Sequence, residues 1–295
     1  MNQTIVLGTR GSELALAQAR LVEKAIQVAR PDLKIETTII ATKGDKTEVV
    51  DRRAGWKGLF TAEIERALLA GDVDLAVHSA KDLPSQSNSG AEIAAVLPRA
   101  TVEDVLISKH AGGLAALPKN GTVATSSVRR KHQLRWKRSD LSIVDLRGNV
   151  PTRLRKLAEN NWDAVVLAGA GVERLGVSLG FFLETLPREI FLPAGGQGII
   201  AIQIRSGDEK VIGIVNPVND SDTLLCLRAE REFLRLLDVD CNAPVGVLAR
   251  IDDGIMKMHA QFFEDGSRTP RQGEVEGAPA KGQLLAKELL SRLRA

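Results

Sequence analysis

Only two cysteines, Cys226 and Cys241, occur in 295 residues, too few for a disulfide scaffold. No CxxC or HExxH spacing is present, so the sequence assigns no zinc site and no other metal. No run approaches the ~20 apolar residues of a membrane span. The N-terminal MNQTIVLGTR lacks the basic stretch and long apolar core of a signal peptide. The expectation is a soluble, cytoplasmic protein with no membrane partner. An excess of one charge is also missing: Lys plus Arg number 40 against 37 Asp plus Glu, whereas non-specific nucleic-acid binders carry a large basic surplus. No heptad and no long exposed apolar stripe argues for an oligomer.

What is present is an ordinary globular composition, 44% hydrophobic. The length suggests about two domains on a ~150-residue prior. Residues 1 to 97 read as strand (TIVLGT), helix (Glu13 to Ala29, stopped by Pro31), strand (KIETTIIA), a charged loop, helix (Leu59 to Ala70, with Gly71 after it) and strand (VDLAVHS). Leu14, Ala17, Leu21, Ala25 and Val28 give the first helix its three- and four-residue apolar spacing. Each strand is followed by a crossover, which predicts parallel α/β layers.

Residues 104 to 175 repeat the rhythm: GTVATS, a helix from Val128 to Trp136, LSIVDLRG, a helix from Thr152 to Ala158, and DAVVLAG. That period is too long for a solenoid, so two similar α/β domains facing each other across a cleft is the simplest reading. The strand in FLPAGGQGIIAIQIR (191 to 205) is expected to return to the first domain. Beyond Pro217 come a helix (Thr223 to Leu237), the strands VGVLARI and IMKMHAQFF, and a last helix from Gly282, a small α+β domain. The expected division is 1–97 with 192–216, then 98–191, then 217–295.

Arginines and hydroxyls recur where strands give way to helices. LGTRGS places Arg10 and Ser12, ATSSVRR places Thr125, Ser126, Ser127, Arg129 and Arg130, and DLRGNVPTR places Arg147 and Arg153. A helix N-terminus offers free backbone N–H groups and partial positive charge, so guanidinium forks added there favour carboxylate or phosphate. The pattern predicts a cleft for a polyanion. VDLAVHSAKDLP then sets Lys81 beside Asp82 before Pro84. Spacing alone allows a solvated turn pair; among the arginine turns, the carboxylate suits stabilising a cationic intermediate and accepting a proton.

Here the chain resembles the hydroxymethylbilane synthase (porphobilinogen deaminase) family over essentially its whole length. The matching segments, in family order, are GTRGSELALAQA, KGLFTAEIE, DLAVHSAKDLP, ATSSVRRKHQL, LRGNVPTRLRKL, GVERLG, LPAGGQG and CNAPVG. The resemblance implies two domains like type II periplasmic binding proteins around a cleft, and a third that carries a covalent cofactor. It implies a monomeric transferase of porphyrin (haem) and other tetrapyrrole biosynthesis that joins four porphobilinogen units head to tail, loses ammonia at each step and releases hydroxymethylbilane. Two carboxylates per ring would explain the arginines, because buried carboxylates need pairing.

By that resemblance Cys241 carries the dipyrromethane cofactor through a thioether, and Asp82 is the catalytic aspartate. Lys81, Thr125, Ser127, Arg129 and Arg130 match positions holding the cofactor's acidic side chains. Arg10, Ser12, Gln18, Arg147 and Arg153 match the incoming-substrate side, and Arg174 in GVERLG matches a further family arginine. From spacing alone Cys241 reads as a structural loop cysteine, Arg174 as a surface helix residue and His78 as core. Cys226, among Leu224, Leu225, Leu227 and Phe233, is expected to be structural. Two positions depart from the family, Asp240 before the attachment cysteine and Trp56 in the 42–60 loop, where glycine is usual; that loop is the expected lid, with Lys57 touching ligand.

Two other classes fit parts of the pattern. Two lobes and an anion cleft describe a solute-binding protein, which is normally exported and has no use for the cysteine-bearing tail. VRRKHQLRWKR (128 to 138) mixes basic residues with Trp136, as a nucleic-acid module does; a solvated helix face with Trp136 turned inward accounts for it better, so no nucleic-acid partner is expected.

Overall fold

The computed structural model describes residues 4–42, 61–86, 89–176, 180–238 and 243–294. The chain opens with β1 (Thr4–Thr9) and α1 (Glu13–Ala29). Ser12 caps α1 by accepting the Ala15 amide at 3.3 Å, and Glu13 complements the positive end of the helix dipole. Ala15, Gln18, Ala19, Val22 and Ile26 form its buried face. Then follow β2 (Lys34–Ile39), α2 (Ala62–Ala70), β3 (Leu75–Ser79) and β4 (Ala91–Val96). Leu59 and Phe60, expected within the second helix, lie outside the described residues.

The second unit comprises β5 (Asp104–Ser108), α3 (Gly113–Ala116), β6 (Thr122–Ala124), α4 (Val128–Lys137), β7 (Ser142–Val144), α5 (Val150–Glu159), β8 (Ala164–Ala168), α6 (Gly169–Leu175) and β9 (Phe182–Thr185). The chain continues through β10 (Ile200–Arg205), α7 (Glu209–Val215), α8 (Ser221–Leu237), β11 (Val245–Asp252), β12 (Ile255–Phe262), β13 (Arg271–Gly277) and α9 (Gly282–Arg294).

The architecture is α/β with a smaller α+β unit at the C-terminal end. The first sheet runs β2-β1-β3-β10-β4 and the second β7-β6-β8-β5-β9. The expectation of purely parallel layers is corrected: β10 is antiparallel to β3 and β4, and β5 is antiparallel to β8 and β9. Both strands arrive from the segments that join the two sheets, not through a helical crossover, and an antiparallel neighbour needs none. The third sheet, β11-β12-β13, is antiparallel throughout.

Strand alternation splits each α/β core in two. Ile5, Leu7, Leu75, Val77, Ile202 and Ile204 meet Val22, Ile26, Val211 and Ile214 of α1 and α7, while Ala76 and Ala91 meet Ile64 and Leu68 of α2. In the second sheet Leu106 and Val166 pack with Leu134 of α4, and Val105, Ile107, Val165 and Leu167 pack with Leu157 of α5 and Val172 of α6. Phe233 of α8 and Leu285 and Leu289 of α9 cover Val247, Met258 and Ala260 of the third sheet.

The chain passes between the first two sheets twice, through 97–103 and 186–199. These segments touch: the Ala100 amide donates to the Gly198 carbonyl at 3.1 Å. Gly198 has φ +86, and a Cβ there would sit 2.5 Å from the Ala100 oxygen, so the contact requires glycine. Gly196, φ +76, also lies close to the backbone between Ala80 and Lys81, 3.0 Å from a would-be Cβ. Among the described residues no helix is long and apolar enough to cross a membrane.

Candidate active site

Because β1 and β3 are parallel, the turns that follow them leave the same edge of the first sheet; β6 and β7 do likewise in the second. Those four turns carry most of the residues singled out in the sequence. After β1 come Arg10 and Ser12. After β3 the chain makes a single 3-10 turn over Ala80–Asp82, closed by the Leu83 amide on the Ala80 carbonyl at 3.2 Å, which leaves Lys81 half-buried and Asp82 exposed. Arg10, Ser12, Gln18, His78, Ser79 and Asp82 line one pocket. Gln18 on α1 donates to Ser79 Oγ at 2.8 Å, which fixes the helix against the strand end.

His78, at the wall of this pocket, is buried. Burial, with Arg10 nearby, pushes its pKa down to about 4, so the ring is neutral at physiological pH. Its Nε2 has no hydrogen-bond partner among the described residues.

In the second sheet, Ser127 caps α4 by accepting the Arg130 amide, and Thr125 Oγ1 accepts the Ser127 amide at 3.3 Å. Ser126 Oγ donates to the Leu146 carbonyl and accepts the Leu146 amide, both at 2.9 Å, so the turns after β6 and β7 are pinned together. Beyond β7 stand half-buried Arg147, Gly148 at φ +111, the α5 cap Asn149 and Arg153, whose Nε donates to the Gly148 carbonyl at 2.7 Å.

Arg129 and Arg130 are buried, and the structure supplies a partner the sequence did not suggest. Asp104, fully buried at the start of β5, accepts Arg129 Nη1 and Arg130 Nη2, each at 2.7 Å. Burial alone would raise this carboxyl; the two guanidiniums together outweigh it and hold it well below the usual carboxylate range. Arg129 Nη1 also reaches Gln133 and the Leu192 carbonyl, and Arg130 Nη1 reaches the Val166 carbonyl. Arg130 Nε, buried, has no partner among the described residues.

Electrostatics join the turns across the cleft. Burial, then Arg130, brings Lys81 down to about 8, with Asp82 and Asp104 opposing. Burial and Arg130, then Arg147, bring Arg153 down to about 10, with Asp82 opposing. Lys81, Arg130, Arg147 and Arg153 thus share a region in which Asp82 is the exposed carboxylate. Such a surplus of cations, with one buried guanidinium N–H unpaired, fits a ligand carrying several carboxylates.

Arg174 stands apart from these turns: its Nη2 donates to the Gly198 carbonyl at 2.6 Å, at the return crossing. Cys241, with Asp240, and Trp56 and Lys57 of the expected lid lie outside the described residues. Cys226 is buried in α8, and its thiol is pushed up to about 12 by burial and by Glu230. Trp136 lies edge-on to Phe263 at 6.2 Å between ring centroids. Among the described residues no group of three or more His, Cys, Asp or Glu side chains could hold a metal ion.

Sequence reasoning missed Asp104, Gln197, Arg99 and Glu230. Gln197 Nε2 donates to Asp104 Oδ1 at 2.9 Å, and its Oε1 accepts Lys81 Nζ at 3.4 Å. Glu230 accepts Arg99 Nη1 at 2.6 Å and the amides of Gly196 and Ala249 at 2.6 and 2.8 Å. The available signal was an acidic residue in the apolar run DVLIS and another within the buried stripe of α8.

Comparison with known proteins gives a consistent result. The family model "Porphobilinogen deaminase, dipyromethane cofactor binding domain" matches residues 5–213, and "Porphobilinogen deaminase, C-terminal domain" matches 224–294. A porphobilinogen deaminase of Roseiflexus sp. is 43% identical over 99% of this chain and 97% of its own. That of Moorella thermoacetica is 45% identical over 98% of this chain and 93% of its own. Among solved structures, the methionine binding protein MetQ overlays with a TM-score of 0.47 at 16% identity, covering 75% of this chain and 92% of its own.

Proposed function

Because the chain belongs to the porphobilinogen deaminase family, we propose that it joins four porphobilinogen molecules head to tail, with loss of one ammonia per unit, and releases hydroxymethylbilane by hydrolysis. It is a transferase of tetrapyrrole biosynthesis with a dipyrromethane-binding domain. The observation that carries the reading is the placement of Asp82 on a short turn facing cations from both lobes.

Of the two cysteines, Cys226 is unsuited to attachment: it is enclosed in a helix core and its thiol resists ionisation. The family resemblance makes Cys241 the attachment point, through a thioether, and the enclosure of Cys226 agrees with that reading. When bound, the dipyrromethane supplies a nucleophilic pyrrole carbon as primer and carboxylates for the surrounding cations. Arg130, with its unpaired Nε, Lys81, and the hydroxyls of Thr125 and Ser127 hold those carboxylates; Arg129 steadies the group from behind.

Arg10, Ser12, Gln18, Arg147 and Arg153 receive the acetate and propionate of the incoming porphobilinogen. Planar guanidiniums meet carboxylates in pairs of hydrogen bonds, which fix the ring's orientation as well as its position. Arg174 supports this side through its hold on the Gly198 carbonyl. Asp82 accepts the pyrrole N–H bonds and stabilises positive charge as ammonia departs with the electron pair of its C–N bond. After the free α-carbon of the chain-end pyrrole has attacked the methylene left by ammonia and the new C–C bond has formed, Asp82 receives the proton lost from that attacking α-carbon. An exposed carboxylate on a backbone-fixed turn can serve both steps without moving.

The test measures ammonia and product together. Purified protein given porphobilinogen should release four ammonia per hydroxymethylbilane, and its intact mass should exceed the polypeptide mass by two pyrrole units. Bare polypeptide mass with no ammonia release would overturn the reading.

A further inference from the structure

We propose that Asp104 is a positioning residue for the reaction: through Arg129, Arg130 and Gln197 it fixes the cations of the second lobe against Lys81 of the first. This rests on the function proposed above. The geometry is a relay with its charge at the centre. Oδ2 of Asp104 receives Arg129 Nη1 at 2.7 Å; Oδ1 receives Arg130 Nη2 at 2.7 Å and Gln197 Nε2 at 2.9 Å. Gln197 belongs to the return crossing between the lobes, is fully buried, and is held a second time by the Val102 carbonyl at 2.7 Å. Its remaining oxygen faces Lys81 Nζ at 3.4 Å, one residue before Asp82.

A buried carboxylate is costly unless it is paired and hydrogen-bonded, and Asp104 is held by three side chains from two different segments. Asp104 lies behind Arg129 and Arg130 in the core, so its charge acts on the ligand only through the side chains it holds. One carboxylate against two guanidiniums and an ammonium leaves a positive surplus for ligand carboxylates, yet keeps the cations from repelling one another apart. The charged groups acting on Lys81 are Arg129, Arg130, Asp82 and Asp104. Asp104 and the Gln197 oxygen favour its protonated form; the two arginines oppose it. Removing either support therefore makes Lys81 lose its proton at lower pH.

The experiment uses the full-length protein and the variants Asp104→Asn and Gln197→Met, with porphobilinogen as probe. Three readings are taken: thermal midpoint, intact mass for the added two pyrroles, and kcat/KM between pH 6 and 10. In Asp104→Asn that folds, the alkaline limb should move down by about one pH unit from the wild-type position near 8, so kcat/KM at pH 8 falls about fivefold. Gln197→Met should move the limb in the same direction while both arginine pairs stay intact. Where Asp104→Asn does not fold, the shift in Gln197→Met decides alone. Folded variants with an unshifted alkaline limb would overturn the proposal. If the wild type carries no added mass and consumes no porphobilinogen, the functional reading has failed instead; the pH midpoint for acetylation of Lys81, followed by peptide mass, then reports the Asp104 relay without turnover. A midpoint lowered in the variants supports the relay, and an unchanged one overturns it.

Discussion

Glu230, fully buried, and Arg99, partly buried, form an ion pair, with Nη1 to Oε1 at 2.6 Å, that holds the third unit against the segment leading from the first sheet to the second. Arg99 also donates to the Gln197 and Ala249 carbonyls, and Glu230 accepts the amides of Gly196 and Ala249. One carboxylate thus gathers both crossings and the first strand of the third sheet. Glu230→Gln leaves the guanidinium without its counter-charge. The free energy of unfolding should fall by about 3–5 kcal/mol; urea denaturation checks this, and a change below 1 kcal/mol would deny the pair its structural role.

Asp82→Asn should preserve the thermal midpoint and the covalently added mass, because Asp82 is exposed and supports no core. Turnover should drop by about two orders of magnitude or more, the usual scale for a proton-transfer group. Near-normal steady-state consumption of porphobilinogen would remove Asp82 from the chemistry.

The two cysteines should behave oppositely. In native protein Cys226 should resist iodoacetamide at pH 8, since thiolate is the reactive form and its thiol is pushed up to about 12. Cys241→Ser should eliminate the added two-pyrrole mass, whereas Cys226→Ala should retain it. Loss of that mass in Cys226→Ala and not in Cys241→Ser would reverse the assignment.

Acid should expose the Asp104 pair. Its folded pKa lies below the unfolded value of about 3.9, so its contribution to stability is complete above pH ~4 and is lost as pH falls toward the folded value. The wild type should lose thermal midpoint below pH ~4 more steeply than Asp104→Asn does. Parallel curves for the two proteins would show that the carboxylate adds nothing in the folded state.

The parts of this fold that sequence made legible are those with local signals. α1 spans Glu13–Ala29 as its apolar spacing and Pro31 predict, Gly71 ends α2 at φ +83, and α8 and α9 follow their apolar spacing. Strand direction was not legible, because the pattern that buries Ile200 to Ile204 is the same in a parallel or an antiparallel neighbour. Short β5 and β9 carry no turn chemistry that would mark them. In the site, the arginine turns stand out as residue types in sequence, but Asp104 meets Arg129 and Gln197 across 25 and 93 residues. Only the folded sheets bring those three together.

Gly196 gives the return crossing its close seat on the peptide between Ala80 and Lys81, and the Ala80 amide donates to Ile199 at 3.0 Å. The crossing that links the two lobes and the turn that mounts Asp82 are thus in direct backbone contact. Any displacement of one lobe against the other through this crossing would therefore press on the turn that carries Asp82.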